Sequence, residues 1–448
     1  MIFARGKGLA TDEENGGQQQ APAFWRRSTP EMPEKTRARL PKFAVDATDD
    51  LGEAAAPGLA FSPAKARLAV ADALSASQPV IQRERFAGRF DTLARLIAAI
   101  EQQRAHVVLY GERGIGKTSL IHIFAGTARE ARYLVLYGSC GVEARFDDMF
   151  RAFAEQIPLL YHASVSPTAN EQEHHRSFAD LIGEHPVDPR ELAELFGEIV
   201  GTRVILVLDE YDRVADPAFR RDVAELIKNL SDRAARMQLI LTGVASNLEE
   251  LIGFTPSIRR NIVGLAVGPM PPEELLEILE RAESASGLSF SPDARELVVR
   301  MAAGSPYLTR LLGGRAAGRA LDDRRSSIGA EDVVAATESV LSEWNEALPR
   351  RVQLQLQQPD VREAWHGLIA AARASGTPDG WFTADDLSSE LPGESREAAL
   401  RLLERFLAPT DLFDRVADGE GRDSRFRFRT QGVAQLLGLS AALARIGR

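Results

Sequence analysis

Gly111-Glu112-Arg113-Gly114-Ile115-Gly116-Lys117-Thr118 is the stretch on which the reading of this chain turns. It meets every fixed position of the pattern G-x-x-x-x-G-K-[ST]. The short apolar run Val107-Val108-Leu109-Tyr110 before it predicts a buried strand, and a helix is expected over 121–128 after it. Glycine lets the main chain curl around an anion with its N–H groups turned inward, and the following helix offers its positive end to the same anion. From Gly111 through Glu112, Arg113, Gly114, Ile115 and Gly116 to Ser119, the backbone would cradle phosphates. Lys117 would reach the β- and γ-phosphates, and the Thr118 hydroxyl would ligate Mg²⁺.

The second half of such a site is a carboxylate on a neighbouring strand. Val204-Ile205-Leu206-Val207-Leu208 is continuously apolar and runs into Asp209-Glu210. A buried strand ending in an acid puts the carboxylate at the sheet edge where open α/β folds bind ligands. Asp209 would hold Mg²⁺, and Glu210 would orient and polarise the attacking water. Further apolar strands are expected over 133–137 and 239–242, with helices over 146–157 and 219–230. Apolar strands alternating with helices predict a parallel sheet covered on both faces.

From residue 273 onward the pattern is wholly helical, over 272–284, 292–303, 307–321 and 330–348. A last unit then shows helices over 361–372, 384–391 and 394–407. Two strand-like runs follow, 412–416 and 425–429, around the turn Asp418-Gly419-Glu420-Gly421. Three helices and a β-hairpin predict a winged helix. Along Arg425-Phe426-Arg427-Phe428-Arg429, strand alternation sends both phenylalanines inward and Arg425, Arg427 and Arg429 outward, where they could meet DNA phosphates. The presumed recognition helix instead interleaves Glu394, Glu397 and Glu404 with Arg396, Arg401 and Arg405, as a solvated face does.

On these motifs, residues 84–435 resemble the AAA+ ATPases of the origin-recognition class and the related STAND ATPases. Phe86-Ala87-Gly88-Arg89 resembles the segment that helps form the adenine pocket in those proteins, which implies roles for Phe86 and Arg89. Thr242-Gly243, followed by Ser246-Asn247, lies where the resemblance implies a sensor residue, either Thr242 or Asn247. Arg259 and Arg260, before the apolar run 262–267, resemble the arginine finger position. That implies a homo-oligomer in which one of them reaches a neighbour's γ-phosphate, although an arginine pair completing a helix end explains them equally. Gly304-Ser305-Pro306-Tyr307 resembles the STAND GxP motif, with Pro306 near the base. Tyr307 stands where the origin-recognition type has its sensor-2 arginine, and Arg310 follows one turn along.

The expected fold is therefore α/β: a P-loop NTPase (AAA+-like) parallel sheet core with a helical lid and a C-terminal winged-helix domain. The segments expected are a tail at 1–80, the core at 81–270, the lid at 271–357 and the winged helix at 358–448. The tail reading rests on polar residues such as Gln18-Gln19-Gln20, recurring prolines and no periodicity, with one helical pattern at 64–75 and Phe24-Trp25 as an anchor for a partner. Residues 162–190, with His162, His174, His175 and His185, read as a solvated insertion loop rather than a metal site.

With 448 residues the chain is long enough for two or three domains. A single cysteine, Cys140, argues for a reducing compartment. No apolar run reaches the roughly 18 residues a membrane span needs, so a cytoplasmic protein with no membrane association is expected. The net charge of −10 leaves DNA binding to a local basic face. ATP and Mg²⁺ are the implied cofactors, adenine following from the resemblance and from the absence of an N-K-x-D motif. The expected activity is ATP hydrolysis driving a molecular switch, DNA-associated or acting in signalling through an unknown protein partner. A nucleotide-binding scaffold without turnover is the third reading.

Overall fold

Strand β3, Val204–Asp209, shows how the sheet is built. Val204, Leu206 and Leu208 join the core on one face, while Ile205 and Val207 join the core on the other. Every residue of the strand is buried, so its apolar run is continuous rather than alternating. In this computed structural model, the described residues are 63–164, 176–245, 247–252, 256–377, 380–407, 412–417, 424–430 and 432–445. Residues 1–62 with Phe24 and Trp25, the segment holding His174 and His175, Ser246 and the turn at 418–421 lie outside them.

The central sheet holds β1 (His106–Gly111), β2 (Leu134–Ser139), β3, β4 (Met237–Val244) and β5 (Ile262–Ala266). The strands are parallel in the order β2-β3-β4-β1-β5. Helices Phe90–Glu101 and Lys117–Glu130 cover one face, and helices Phe146–Glu155 and Pro217–Asp232 the other. The strand β5 had read only as an apolar run. Five residues with a glycine inside carry too little periodicity, and β5 has a single neighbour, β1.

A helical body follows: Pro272–Ser286, Pro292–Ala302, Pro306–Asp322 and Ala330–Ala347. It is not wholly helical, because Ser289–Phe290 (β6) and Ser327–Ile328 (β7) pair in parallel. Residues 63–74, counted with the tail from sequence, are packed. Helix Pro63–Ala73 buries Ala66, Val70 and Ala73 in the core of this body. Its apolar face finds its partners two hundred residues away, which no local pattern reveals.

The last unit contains helices Pro359–Glu363, Trp365–Ala374, Ala384–Ser389 and Arg396–Arg405 and a closing helix Val433–Ala444. Its antiparallel sheet runs β8 (Phe382–Thr383), β10 (Ser424–Phe428), β9 (Phe413–Ala417). Phe426 and Phe428 are buried while Arg425, Arg427 and Arg429 are exposed, as alternation requires. One apolar core runs unbroken from Ala66 through Leu341 and Leu368 to Leu437, across the boundary expected at residue 357.

The insertion has one anchor in the core. Most of its described residues are exposed or half-buried, but Phe178 is fully buried in the core with Phe150 and Phe153 and anchors the segment to one face of the sheet.

Candidate functional site

The C-terminal edge of the sheet gathers the motif residues. Asp209 ends β3, opposite Ser139 of β2, and Thr242 of β4 lies between β3 and β1. Thr118 Oγ1 donates to Asp209 Oδ2 at 3.0 Å. The Tyr137 hydroxyl donates to the same oxygen, and the Thr242 hydroxyl and the Glu210 amide donate to Oδ1. Both oxygens of the buried Asp209 are thus occupied, which fixes the carboxylate against the first turn of helix Lys117–Glu130. Burial and the Asp209 carboxylate push the Tyr137 phenol well above its ordinary pKa.

Lys117 folds back over the loop, and Nζ donates to the carbonyls of Gly111 at 2.8 Å and Glu112 at 2.7 Å. Burial lowers its pKa to about 8, against the pull of Asp212, Asp209 and Glu112. Burial likewise raises the Glu112 carboxyl, with Lys117 opposing. The loop geometry demands glycine at Gly111, where a Cβ would lie 2.3 Å from the Val267 carbonyl oxygen. Gly114 and Gly116 take φ of 75° and 96°. Pro306 and Tyr307 lie directly over them: a Cβ on Gly114 would stand 3.4 Å from Tyr307 Cβ, and one on Gly116 would stand 3.6 Å from Pro306 Cγ.

Glu210 is left-handed, with φ 54° and ψ 36°, a conformation that costs a non-glycine residue energy and is concentrated at functional sites. Its Oε2 accepts from Arg213 Nη1 at 2.7 Å and from Ser139 Oγ at 3.4 Å. Asp212 Oδ1 accepts from the Val244 amide at 2.9 Å. A cleft of about 790 Å³ joins these groups, lined by residues 75–80, the phosphate loop, Asp209, Glu210, Asp212, Arg213, Thr242, Pro306, Tyr307 and Arg310. Ser119 Oγ accepts from the Val80 amide at 3.0 Å, which fastens the segment 75–80 along one wall. Arg310 is buried; it donates to the carbonyls of Ala73 and Arg85, and its pKa falls to about 10 through burial and then the neighbouring Arg85.

Other residues singled out from sequence lie elsewhere. Phe86 is buried in the core with Ile115, and Arg89 donates to the carbonyls of Gly268 at 2.6 Å and Ile115 at 3.3 Å. Neither lines the cleft; Arg89 instead ties the loop to the exit of β5. Asn247 caps helix Leu248–Ile252, accepting from the Glu250 amide at 3.1 Å, so of the two sensor candidates Thr242 is the one at Asp209. Arg259 and Arg260 are exposed at the entry to β5, the opposite edge of the sheet, with ion pairs of 3.8 Å to Glu249 and Asp232. Arg427 of β10 and Arg429 just after it both bond Asp414, and the Arg427 guanidinium sits 4.6 Å over the Trp381 ring. Cys140 is buried beside β3, its thiol pushed up to about 12 by burial and then Asp209. Among the described residues no cluster of three metal-ligating side chains occurs.

Tyr137, Ser139, Asp212, Arg213 and the segment 75–80 were not anticipated. The signal for two of them was present: Asp209-Glu210-Tyr211-Asp212-Arg213 repeats acid after acid just past a buried strand. The donor set fits a magnesium phosphate group: a glycine cradle that a Cβ would fill, a lysine bonded only to loop carbonyls, and a hydroxyl beside a carboxylate.

Residues 85–242, which span the loop, Asp209 and Thr242, match a known family. That family is described as an AAA ATPase domain. The family match thus takes in β1 to β3 and most of β4, and stops before β5 and the helical body. Among solved structures, the chain is similar to a Walker-type ATPase of Pyrococcus abyssi at 16% identity, covering 82% of this chain and 99% of that one with a TM-score of 0.46. It is also similar to an ORC1 protein of Aeropyrum pernix solved with DNA, at 17% identity, covering 84% and 98% with a TM-score of 0.42. A third is the RuvB branch migration motor of Thermotoga maritima, at 17% identity, covering 78% and 95% with a TM-score of 0.42. No curated protein matches the chain. No helix among the described residues is long and apolar enough to cross a membrane.

Proposed function

We propose that the AAA ATPase domain binds and hydrolyses ATP, and that the bound nucleotide sets the position of the helical body and of a C-terminal winged helix. The observation that carries this reading is the contact of Pro306 and Tyr307 with the phosphate loop at Gly116 and Gly114. Any change in the loop is felt at once by the first turn of helix Pro306–Asp322.

The residues divide the work. Loop amides and Lys117 bind the phosphates, Lys117 exchanging two carbonyls for a charged partner. Thr118 and Asp209 would hold Mg²⁺, which when bound neutralises charge across the β- and γ-phosphates. Glu210 orients a water molecule and takes its proton, with Thr242 keeping Asp209 in place. At present Arg213 and Ser139 hold the Glu210 carboxylate, so Glu210 must leave Arg213 to serve as base. Arg259 or Arg260, exposed and weakly paired, is available to a second copy of the chain.

Two outputs follow from this switch. A signalling output through a protein partner is favoured by the pairing of Arg427 and Arg429 with Asp414, which spends much of the arginine row within the unit itself. DNA association through Arg425, Arg427 and Arg429 is the second output, motivated by their exposure along β10 and its exit. The Glu210→Gln variant tests the core reading: phosphate release should fall by about 10²–10³-fold while Mg-ATP still binds. Equal turnover in the two proteins overturns it, and a salt-dependent DNA shift lost in the triple Arg425/Arg427/Arg429→Ala variant would select the second output.

A further inference from the structure

The opposite edge of the same sheet carries an arrangement from which the ATPase reading draws at most Arg260. Every one of the five parallel strands is entered from an arginine: Arg132 before β2, Arg203 before β3, Arg236 before β4, Arg104 before β1 and Arg260 before β5. In the spatial order of the strands this makes a row across the whole edge, roughly 19 Å wide at about 4.8 Å per strand. Only Arg260 has an ion pair among the described residues, the 3.8 Å contact with Asp232. The other four have no side-chain partner there.

Four of the five, Arg104, Arg203, Arg236 and Arg260, line one cavity of about 380 Å³. Asn261 lines it too, and its amide nitrogen is buried without a partner. The buried His106 completes the wall; its Nδ1 accepts from the Leu239 amide at 2.9 Å, which leaves the proton on Nε2. The cavity is thus rich in donors and no described carboxylate lines it; Asp232 is reached only by Arg260, at 3.8 Å.

Each arginine also follows the C-terminal end of a helix, where a cation is favoured by the helix dipole. That accounts for one positive charge per helix end, but not for the choice of residue. Arg104 and Arg132 are left-handed, with φ of 52° and 64°, positions where glycine is the usual occupant. Placing arginine there puts a side chain on the edge at a backbone cost. In a chain of net charge −10, a row with one acidic partner is a local reversal of sign.

We propose that this cavity is a second anion site, which binds a compact polyphosphate-bearing small molecule at the edge of the sheet opposite the ATP cleft. Guanidinium groups converging from neighbouring strands match phosphate oxygens in pairs, and the Asn261 amide and His106 Nε2–H add neutral donors. A partly open cavity of about 380 Å³ has room for a di- or triphosphate, and a continuous strand of nucleic acid is the alternative that the experiment below separates from it.

The test is calorimetric titration of inorganic tripolyphosphate into the full chain already saturated with Mg-ADP. Wild type should bind one equivalent, and Arg203→Ala/Arg236→Ala should bind at least tenfold more weakly. The Arg203→Lys/Arg236→Lys variant, which keeps charge but loses the paired geometry, should fall between them. Basal ATP turnover should be the same in all three, which separates failure here from failure of the ATPase reading. Absence of binding to wild type, or equal binding by all three proteins, overturns the proposal. So does binding of a single-stranded oligonucleotide that is lost in the alanine variant while tripolyphosphate gives no heat, an outcome that would reassign the edge to nucleic acid.

Discussion

The two edges of the central sheet carry opposite chemistry on a common backbone plan. Where the strands end, the next helices begin, and their free N–H groups make a positive field. Acids gather there: Asp209, Glu210 and Asp212 stand around Lys117 and the loop. Where the strands begin, helices have just ended, and their free carbonyls make a negative field. Arginines gather there, at 104, 132, 203, 236 and 260. Side chains at each edge oppose the local backbone field. The difference between the edges lies in what is already partnered. Asp209 accepts four hydrogen bonds from its own chain, whereas four arginines of the other row have no partner among the described residues. One edge has its central carboxylate fully satisfied within the chain; the other holds unspent charge.

The largest effect that separates the edges should come from Lys117→Ala. It removes a charged donor worth about 3 kcal/mol, so Mg-nucleotide affinity should drop by about 100-fold in a fluorescence titration. Tripolyphosphate binding at the arginine edge should be untouched, and a parallel loss there would erase the distinction.

A smaller, pH-dependent effect follows from Lys117 as well. Burial holds its free-state pKa to about 8. A bound phosphate raises that value, so above pH 8 binding must take up a proton, and affinity should weaken by up to about tenfold per pH unit. Calorimetry at pH 9 in two buffers of different ionisation heat reads the proton directly. Identical apparent enthalpies in the two buffers would contradict it.

The smallest effect belongs to the backbone of the arginine edge. Arg104→Gly and Arg132→Gly should each stabilise the chain by up to about 1 kcal/mol, because glycine relieves the left-handed strain at 52° and 64°. Denaturant midpoints measure this. A lowered midpoint would mean that these side chains hold the fold together rather than serve a ligand.

Much of the C-terminal edge was legible because its signals are local. The glycines, Lys117 and Thr118 lie in one octapeptide, and Asp209 ends a run of five apolar residues. The helical body and the last hairpin were legible for the same reason, since each helix repeats on its own period. What escaped depends on distant partners. Residues 75–80 join the cleft only because helix Pro63–Ala73 docks on a body two hundred residues away. Arg89 read as a base-pocket residue, yet its guanidinium reaches Gly268, at the end of a strand that had no clear pattern. Arg213 and Glu210 are three residues apart, but their ion pair needs the left-handed bend at Glu210. The arginine row is a property of strand order, invisible until β1 is inserted between β4 and β5.

The unbroken apolar core from Ala66 to Leu437 has a mechanical consequence. A part that shares one close-packed interior moves as a piece, so nothing can pivot at the junction near residue 357. Between the described sheet body and this larger piece the backbone passes only twice, near 74–86 and near 267–272. Among the described residues those two crossings are the axle. A small tilt of Pro306 against the loop would swing the distant β9–β10 hairpin through a much longer arc, as the short arm of a crank drives the long one.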